Sequence, residues 1–421
     1  MLLCMLLMYT TAHAPIRKQS FEAFWYTHHL AFVFILALYT HATGCFVRDT
    51  TEPYSPFAGS LFWNHCIGYE GWRLTLWSGG IYFLERLWRV INSRRDTKIT
   101  KVIMHPQGMN SLGEFLMTPG AMEIQFRKPS FRYQPGQWIF INVPALSKWQ
   151  WHPFTITSCP TDPYVSIHIR QVGDWTKALG QTLGTQAAPA GVEYALANGR
   201  NMPVLRVDGP FGAPAEDVLD NEIAVLVGAG IGVTPWASVL KHILSQFKTA
   251  HPPQRLRRVE FIWIVPNINS FEWFQNLLAN LERETICTPH DEKYREQQPF
   301  LRVHNYLTAK LDEETVQNIM INDAGAVVDP LTGLKSRTHY GRPNWKAMFT
   351  GMRVGIERGT YIRGLAGMRT KVGVYFCGPS PLARTLKKEC KEASSEFVKC
   401  TFTCFRFMRL TVVVTLWKEH F

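Results

Sequence analysis

The sequence predicts a multidomain chain: an α-helical transmembrane remnant, then an antiparallel β-barrel, then an α/β domain. Three observations predict it. Residues 25–43 contain no Asp, Glu, Lys or Arg, a run that suits one bilayer crossing of about 20 residues. From 100 to 214, short apolar alternations are separated by Pro and Gly turns, the texture of antiparallel strands. From 222, an apolar run passes through three glycines into an apolar helix, the strand–turn–helix unit of a parallel sheet. A length of 421 residues fits about three domains, with boundaries at 1–98, 99–216 and 217–421.

At the amino end, residues 1–14 are apolar and lack a basic leader, so they do not read as a cleavable signal peptide. They are too short to span and read as the last part of a crossing helix. The span at 25–43 follows. A weaker span at 72–90 contains Arg73, Glu85 and Arg86. Basic residues flank the pair on the outer sides, at Arg17 and Lys18 and again at Arg86, Arg89, Arg94, Arg95, Lys98 and Lys101, whereas the 45–71 connection holds only Arg48. The positive-inside rule then puts both flanks in the cytoplasm and the connection outside. His28, His29 and His41 lie in the first span. Histidine in hydrocarbon is costly and points to a bound group, though one bonded to a neighbouring helix reads from the same residues. His28 and His41 are 13 residues apart, about 20 Å along a helix, the separation of two stacked haems; 13 steps fall roughly 140° short of four whole turns, so a local bend is needed to aim both rings alike.

The barrel strands include 121–126, 138–143 and 165–170. Between the last two lies Trp151-His152-Pro153-Phe154-Thr155-Ile156-Thr157-Ser158, a run that presents hydroxyls or backbone to a ligand. His168, Arg170, Trp175 and Thr176 follow, and the Arg170 guanidinium matches the oxygens of a pyrophosphate. A histidine-bearing membrane segment lies on one side of this stretch and a glycine-rich nucleotide turn on the other. A hydride carrier gives electrons in pairs and a haem takes them singly, so the group between must split the pair, as a flavin does.

In the last domain, Ile223-Ala224-Val225-Leu226-Val227 is a buried strand, and Gly228-Ala229-Gly230-Ile231-Gly232-Val233-Thr234-Pro235 turns into the helix at 236–247. Such glycines bring backbone N–H groups to a phosphate at a helix N-terminus. The spacing is G-x-G-x-G rather than G-x-G-x-x-G, and an ordinary tight turn reads equally from it. Strands at 259–265 and 372–377 extend the sheet. Cys377-Gly378-Pro379 ends the second at the carboxyl edge, where a small thiol leaves room for a flat nicotinamide or is simply a buried cysteine. Arg342, after the polar loop at 322–339, is a partner for a 2′-phosphate or a solvated surface arginine.

A net charge of +12 admits an acidic ligand, an anionic membrane surface or nucleic acid. No nucleic-acid motif is present, and the basic residues do not interleave with aromatics along one face. The nine cysteines show no metal-binding spacing, Cys400 and Cys404 being the closest pair, and read as reduced thiols.

Phe24-Trp25-Tyr26-Thr27-His28-His29-Leu30, His41, His152-Pro153-Phe154-Thr155, the run 168–176, Asp208-Gly209-Pro210-Phe211-Gly212, the run 228–235, the run 340–345 and Cys377-Gly378-Pro379 occur together and in this order. The chain thereby resembles the catalytic subunits of the superoxide-generating NADPH oxidases, filamentous-fungal branch. That resemblance implies a six-helix haem domain, an FAD-binding β-barrel and a ferredoxin-reductase-like NADP domain in a multi-pass membrane protein, with the FAD and NADPH domains cytoplasmic. It implies haem b on His28 and His41, and FAD contacts from His152, Pro153, Phe154, Thr155, His168, Arg170, Trp175 and Thr176. NADPH contacts are implied from Gly228, Gly230, Gly232, Thr234, Arg342, Cys377 and Gly378. The final Phe421 matches the closing aromatic residue that stacks near the flavin.

Two departures stand out. The helices that supply each haem's second histidine do not occur here, so the chain resembles a form truncated at the N-terminus, and 400–416 reads as an insertion. The implied reaction runs from NADPH through FAD and haem to O2, giving superoxide. A ferric- or cupric-chelate reductase with the same relay, or a non-haem fragment with diaphorase or regulatory activity, are the alternatives. By the same resemblance the expected partners are membrane lipid, cytosolic activator proteins and a small membrane subunit.

Overall fold

The computed structural model describes residues 1–43, 71–105, 121–171, 173–184, 194–196, 202–249, 251, 253–266, 272–286, 300–308, 317, 328–329, 332–362 and 368–404. The chain forms two compact units, parting between Ser93 and Arg94.

The first unit is helical: α1 (Leu2–Ala12), α2 (Ala14–Gln19), α3 (Phe21–His28), α4 (Leu30–Thr43) and α5 (Gly71–Ser93). The Thr11 and Thr27 hydroxyls meet at 2.6 Å between α1 and α3. The expected continuous span at 25–43 is interrupted at His29. Side chains take up carbonyls that a continuing helix uses: the Thr27 hydroxyl donates to Ala23 O at 2.7 Å, and the His29 ring contacts Trp25 O at 2.7 Å. The His29 N–H then reaches Tyr26 O, three residues back, at 3.2 Å. The helix tightens there and restarts as α4, of 14 residues. The longer α5, of 23 residues, carries Arg73, Glu85, Arg86 and Arg89. No described helix is long and apolar enough to cross a membrane.

The second unit begins with β1 (Lys98–Met104), β2 (Ala121–Arg127), β3 (Trp138–Asn142), β4 (His152–Thr155), β5 (Val165–Arg170), α6 (Asp174–Thr182), β6 (Tyr194–Leu196) and β7 (Arg206–Phe211). The strands are antiparallel, but the described residues do not form one closed barrel. They form two sheets, ordered β5-β2-β1-β6 and β4-β3-β7, joined where Ile156 bridges Ile167. Alternation gives each strand one apolar face, and that face serves two sheets around one core as well as it serves a barrel. Val102, Ile124, Phe126, Ile139, Ile141 and Ile167 fill this core.

The rest is α/β: β8 (Ile223–Ala229), α7 (Thr234–Lys248), β9 (Arg258–Val265), α8 (Glu272–Ile286), β10 (Leu301–Leu307), β11 (Thr338–Tyr340), α9 (Trp345–Glu357), β12 (Thr370–Cys377), α10 (Ser380–Ala393) and β13 (Val398–Cys404). The sheet order is β11-β10-β9-β8-β12-β13, and every pairing is parallel. The chain starts at β8 in the middle, runs outward to β11, and returns to β12 on the other side. The order therefore reverses between β8 and β12. All of β8 is buried, as its unbroken apolar run requires of a strand covered on both faces. Residues 400–404, expected within an insertion, instead complete β13, paired with β12 from Thr370 to Phe376. Helix α7 ties the two halves of this unit together: the Ser238 hydroxyl donates to Ser158 O at 2.6 Å, and the Thr161 and Ser245 hydroxyls lie 3.2 Å apart.

Candidate functional site

The His152–Thr155 strand pairs with β3, setting His152 opposite Ile141, Pro153 opposite Phe140, Phe154 opposite Ile139 and Thr155 opposite Trp138. Side chains alternate, and cross-strand partners share a face. The four residues are thus divided between the two faces of the sheet. His152 and Phe154 turn towards Trp175: the His152 and Trp175 rings stack with centroids 3.8 Å apart, and Phe154 lies 6.2 Å from the same indole. Burial pushes the His152 imidazole down to about 4, so it is a neutral aromatic plate at pH 7. Pro153 and Thr155 lie on the opposite face with Trp138 and Phe140, which are half-buried. Phe211 packs 4.7 Å from Trp138 and 5.5 Å from Phe140. This aromatic face was not expected from the sequence. It emerges only when the register of β3, β4 and β7 is known.

Helix α6 begins at Asp174 with no side-chain cap on its first turn, leaving N–H groups for an anion. Thr176 is buried, and its hydroxyl donates to Gly173 O at 2.8 Å, so it fixes the entry turn. Arg170 is exposed at the end of β5. The indole Nε1–H of Trp175 is buried and meets no acceptor among the described residues. A buried orphan donor within an aromatic stack fits a planar heterocycle bearing carbonyls, the chemistry of a flavin.

The nucleotide side is built at the reversal point of the parallel sheet, where ligands of open α/β folds sit. Gly228 on β8 pairs directly with Cys377 on β12. Gly230 has φ +55°, a left-handed conformation open to glycine. Gly232 packs so closely that a Cβ there lies 2.4 Å from Cys377 O. Helix α7 then starts at Thr234, again without a side-chain cap. Backbone donors and a thiol therefore converge at one edge. Burial raises the Cys377 thiol to about 12, so it is an uncharged neighbour for an aromatic ring rather than a thiolate nucleophile. Gly378 follows, and a Cβ there would lie 2.7 Å from Ala229 Cβ. Tyr340 pairs with Leu307 and Leu307 with Val265, which places the exposed Arg342, two residues on, at the same carboxyl edge.

His168 goes elsewhere. Its Nδ1 contacts the Thr157 hydroxyl at 2.7 Å, and its Nε2 lies 3.6 Å from Glu123, beside which His105 Nε2 stands at 3.3 Å. Burial keeps His168 down at about 3. Burial alone raises the Glu123 carboxyl, but the His105 hydrogen bond, the His168 charge and Gln125 together hold it at about 2; because His168 is neutral at pH 7, the contacts with His105 and Gln125 supply the stabilisation there. His28 is exposed at the end of α3 and stacks on Phe24 at 5.2 Å. His41 falls within α4, and its side chain lies outside the described residues, as does Phe421.

A glycine turn at the sheet's reversal point and an antiparallel module with an aromatic stack share one compact unit, a place for a nucleotide together with a place for a second planar group. Comparison with known proteins agrees. Residues 222–391 match the ferric reductase NAD binding domain, and 115–215 match an FAD-binding domain. The chain is 36% identical over 405 residues to a superoxide-generating NADPH oxidase heavy chain of Dictyostelium discoideum, covering 96% of this chain and 67% of that one. It is 37% identical over 409 residues to mouse NADPH oxidase 1, covering 93% and 62%. Human NADPH oxidase 3 is 36% identical, covering 93% and 66%. The chain belongs to the NADPH oxidase family, and it spans about two thirds or less of these relatives' lengths. Among solved structures, the ferredoxin NADP+ reductase of Neisseria gonorrhoeae with bound FAD and NADP is matched over 73% of this chain and 98% of that one, at 12% identity and a TM-score of 0.42.

Proposed function

We propose that the chain oxidises NADPH at the β8–β12 edge and passes the electrons through FAD and haem across a membrane to O2. One NADPH gives two electrons, and two O2 molecules each take one, yielding two superoxide ions and releasing one proton. FAD, when bound, accepts electrons as a pair and gives them up singly. The observation that carries the reading is the pairing of Gly228 with Cys377 at the sheet's reversal point, within the same compact unit as the His152–Trp175 stack.

The residues divide the work. The backbone N–H groups at Gly230–Thr234 hold the nucleotide phosphates. Arg342 holds the 2′-phosphate and selects NADPH over NADH. Cys377 and Gly378 give the nicotinamide a flat, uncharged wall that excludes water. Trp175 and His152 orient the flavin side, and Arg170 with the first turn of α6 neutralises its pyrophosphate. His28 and His41 are the residues that would hold haem b. The exposed imidazole of His28 fits that role, and the interruption at His29 falls between the two histidines, breaking the ideal helix on which their rings point apart.

Membrane attachment is supported by apolar side chains left exposed on the first unit, among them Phe32, Val33, Leu36, Trp77, Phe83 and Trp88. Patches of this kind mark lipid or protein contacts. The boundaries 1–98, 99–216 and 217–421 remain our division of labour into haem, FAD and NADPH parts. The proposed partners are cytosolic activators and a small membrane subunit.

The test is NADPH-dependent superoxide release by membranes carrying the chain, compared with Fe(III)-chelate reduction in the same preparation. Superoxide sensitive to superoxide dismutase is the expected result. Chelate reduction without superoxide moves the acceptor to a metal complex. NADPH–dye reduction without a haem b spectrum leaves a diaphorase and overturns transmembrane transfer.

A further inference from the structure

We propose that His105, Glu123 and His168 form a binding site for one divalent transition-metal ion, zinc by ligand type, on the non-core face of the β5-β2-β1 sheet. The three residues come from adjacent strands. Glu123 on β2 lies directly opposite His168 on β5. His105, the residue after β1, is locked to β2 by its N–H to Ala121 O at 2.9 Å.

The donor atoms converge. His105 Nε2 is 3.3 Å and His168 Nε2 is 3.6 Å from the same oxygen, Glu123 Oε2, and one ligand atom from each residue lies within 4.8 Å of the others. Zinc bonds of about 2.0–2.1 Å hold tetrahedral ligands about 3.3 Å apart. A separation of 3.6 Å is too long for a hydrogen bond but suits two ligands of one ion.

The outer contacts point the ligands inward. Gln125 Nε2 donates to the other carboxylate oxygen at 3.0 Å, turning Oε2 towards the imidazoles. The Thr157 hydroxyl, itself 2.9 Å from Ser166 Oγ, holds His168 Nδ1 at 2.7 Å and so fixes which nitrogen faces the carboxylate. Metal-bound histidine and carboxylate are oriented in this way.

Burial supplies the need for a cation. Glu123 is 7% and His168 9% exposed, and a carboxylate removed from water requires positive charge beside it. His105 is half-buried and so meets solvent, which would supply a fourth ligand. Two imidazoles and a carboxylate without thiolate suit zinc, and after it cobalt. The ion would clamp β1, β2 and β5 two residues before Arg170, on the face from which β5 meets Thr157.

The experiment uses the full chain, dialysed against EDTA and then titrated with ZnCl2 or CoCl2. We expect one tightly held zinc per chain beyond that retained by His105→Gln and Glu123→Gln, with affinity at least tenfold weaker in His105→Gln and its circular dichroism unchanged. Cobalt should give the visible bands of a four-coordinate site, and His105→Cys should add a thiolate-to-cobalt charge-transfer band in the near ultraviolet. Wild-type chain that takes up no such zinc, or variants that bind it equally, overturn the proposal and leave a His–Glu hydrogen-bond cluster alone. So does His105→Cys without the new band. FAD content, measured alongside, is expected to persist in His105→Gln, which separates this outcome from any failure of the proposed electron transfer.

Discussion

Two residues show how little space separates function from packing. At Gly232 a methyl group lies 2.4 Å from Cys377 O, a contact that forces the β8–α7 turn to move. Gly232→Ala should raise the KM for NADPH about tenfold or more while leaving bound FAD unchanged, as flavin absorbance and steady-state kinetics will show. Trp175 acts through its ring, stacked 3.8 Å from His152. An aromatic pair contributes about 0.5–1.5 kcal/mol beyond its buried area, so Trp175→Ala should weaken FAD roughly 2- to 10-fold, measured by quenching of flavin fluorescence. Both residues were legible as a motif. Their partners were not, because Gly232 and Cys377 are far apart in sequence and meet only through strand pairing. For the same reason the face that Trp138 and Phe140 share with Pro153 and Thr155 has no local signature in the sequence.

At the scale of elements, β9 and β10 are joined by a buried charge network that sequence periodicity does not announce. The Arg258 Nε donates to Glu260 Oε1 at 2.6 Å, His304 Nε2 meets Oε2 at 2.7 Å, and the Tyr361 hydroxyl donates to Oε1 at 2.5 Å. Arg258 is 2% exposed, and its guanidinium lies 3.8 Å over the Tyr361 ring. Burial alone raises the Glu260 carboxyl, yet His304, Arg258 and Tyr361 together bring it below its ordinary value. A carboxyl whose folded pKa is depressed binds fewer protons folded than unfolded, so its contribution is complete above the unfolded value near about 4.3 and is lost as pH falls through the folded one. Thermal melts should therefore show stability declining below about pH 4.3, and Glu260→Gln should flatten that decline. Removing the charge leaves Arg258 buried without its anion, a loss of about 3–5 kcal/mol, read as a lower urea midpoint at pH 7. Elements with long, regular patterns were legible, β8 and α7 above all. The helix break at His29 was not, because it depends on the Thr27 and His29 side chains competing for carbonyls within an otherwise uninterrupted apolar run.

For the whole molecule, the proposed function has Arg342 and Cys377 serve one ligand. Arg342 lies two residues past the end of β11 and Cys377 ends β12; the two strands are four spacings apart in the order β11-β10-β9-β8-β12, or about 19 Å along the carboxyl edge. An extended dinucleotide lying across that edge would meet both, so Arg342→Ala should raise the KM for NADPH about tenfold through loss of the charge-assisted phosphate contact and leave that for NADH unchanged. The comparison of the two nucleotides in one preparation checks it. The apolar side chains exposed on the helical unit predict sedimentation with membranes; recovery in the high-speed supernatant without detergent counts against attachment.

The sequence by itself determined the parallel sheet and the family, because a buried β8, a glycine turn and α7 are specified by residues adjacent in the chain, and the ordered motifs survive any uncertainty about packing. It also determined which residue types were available for cofactors. Only the tertiary structure decided which of them meet. Register divided His152 and Phe154 from Pro153 and Thr155, drew His168 away to Glu123 and His105, and gave two sheets where alternation suited a barrel equally well. Contacts between strands are set by how side chains from distant segments fill a common core, and that balance is not written in any one segment.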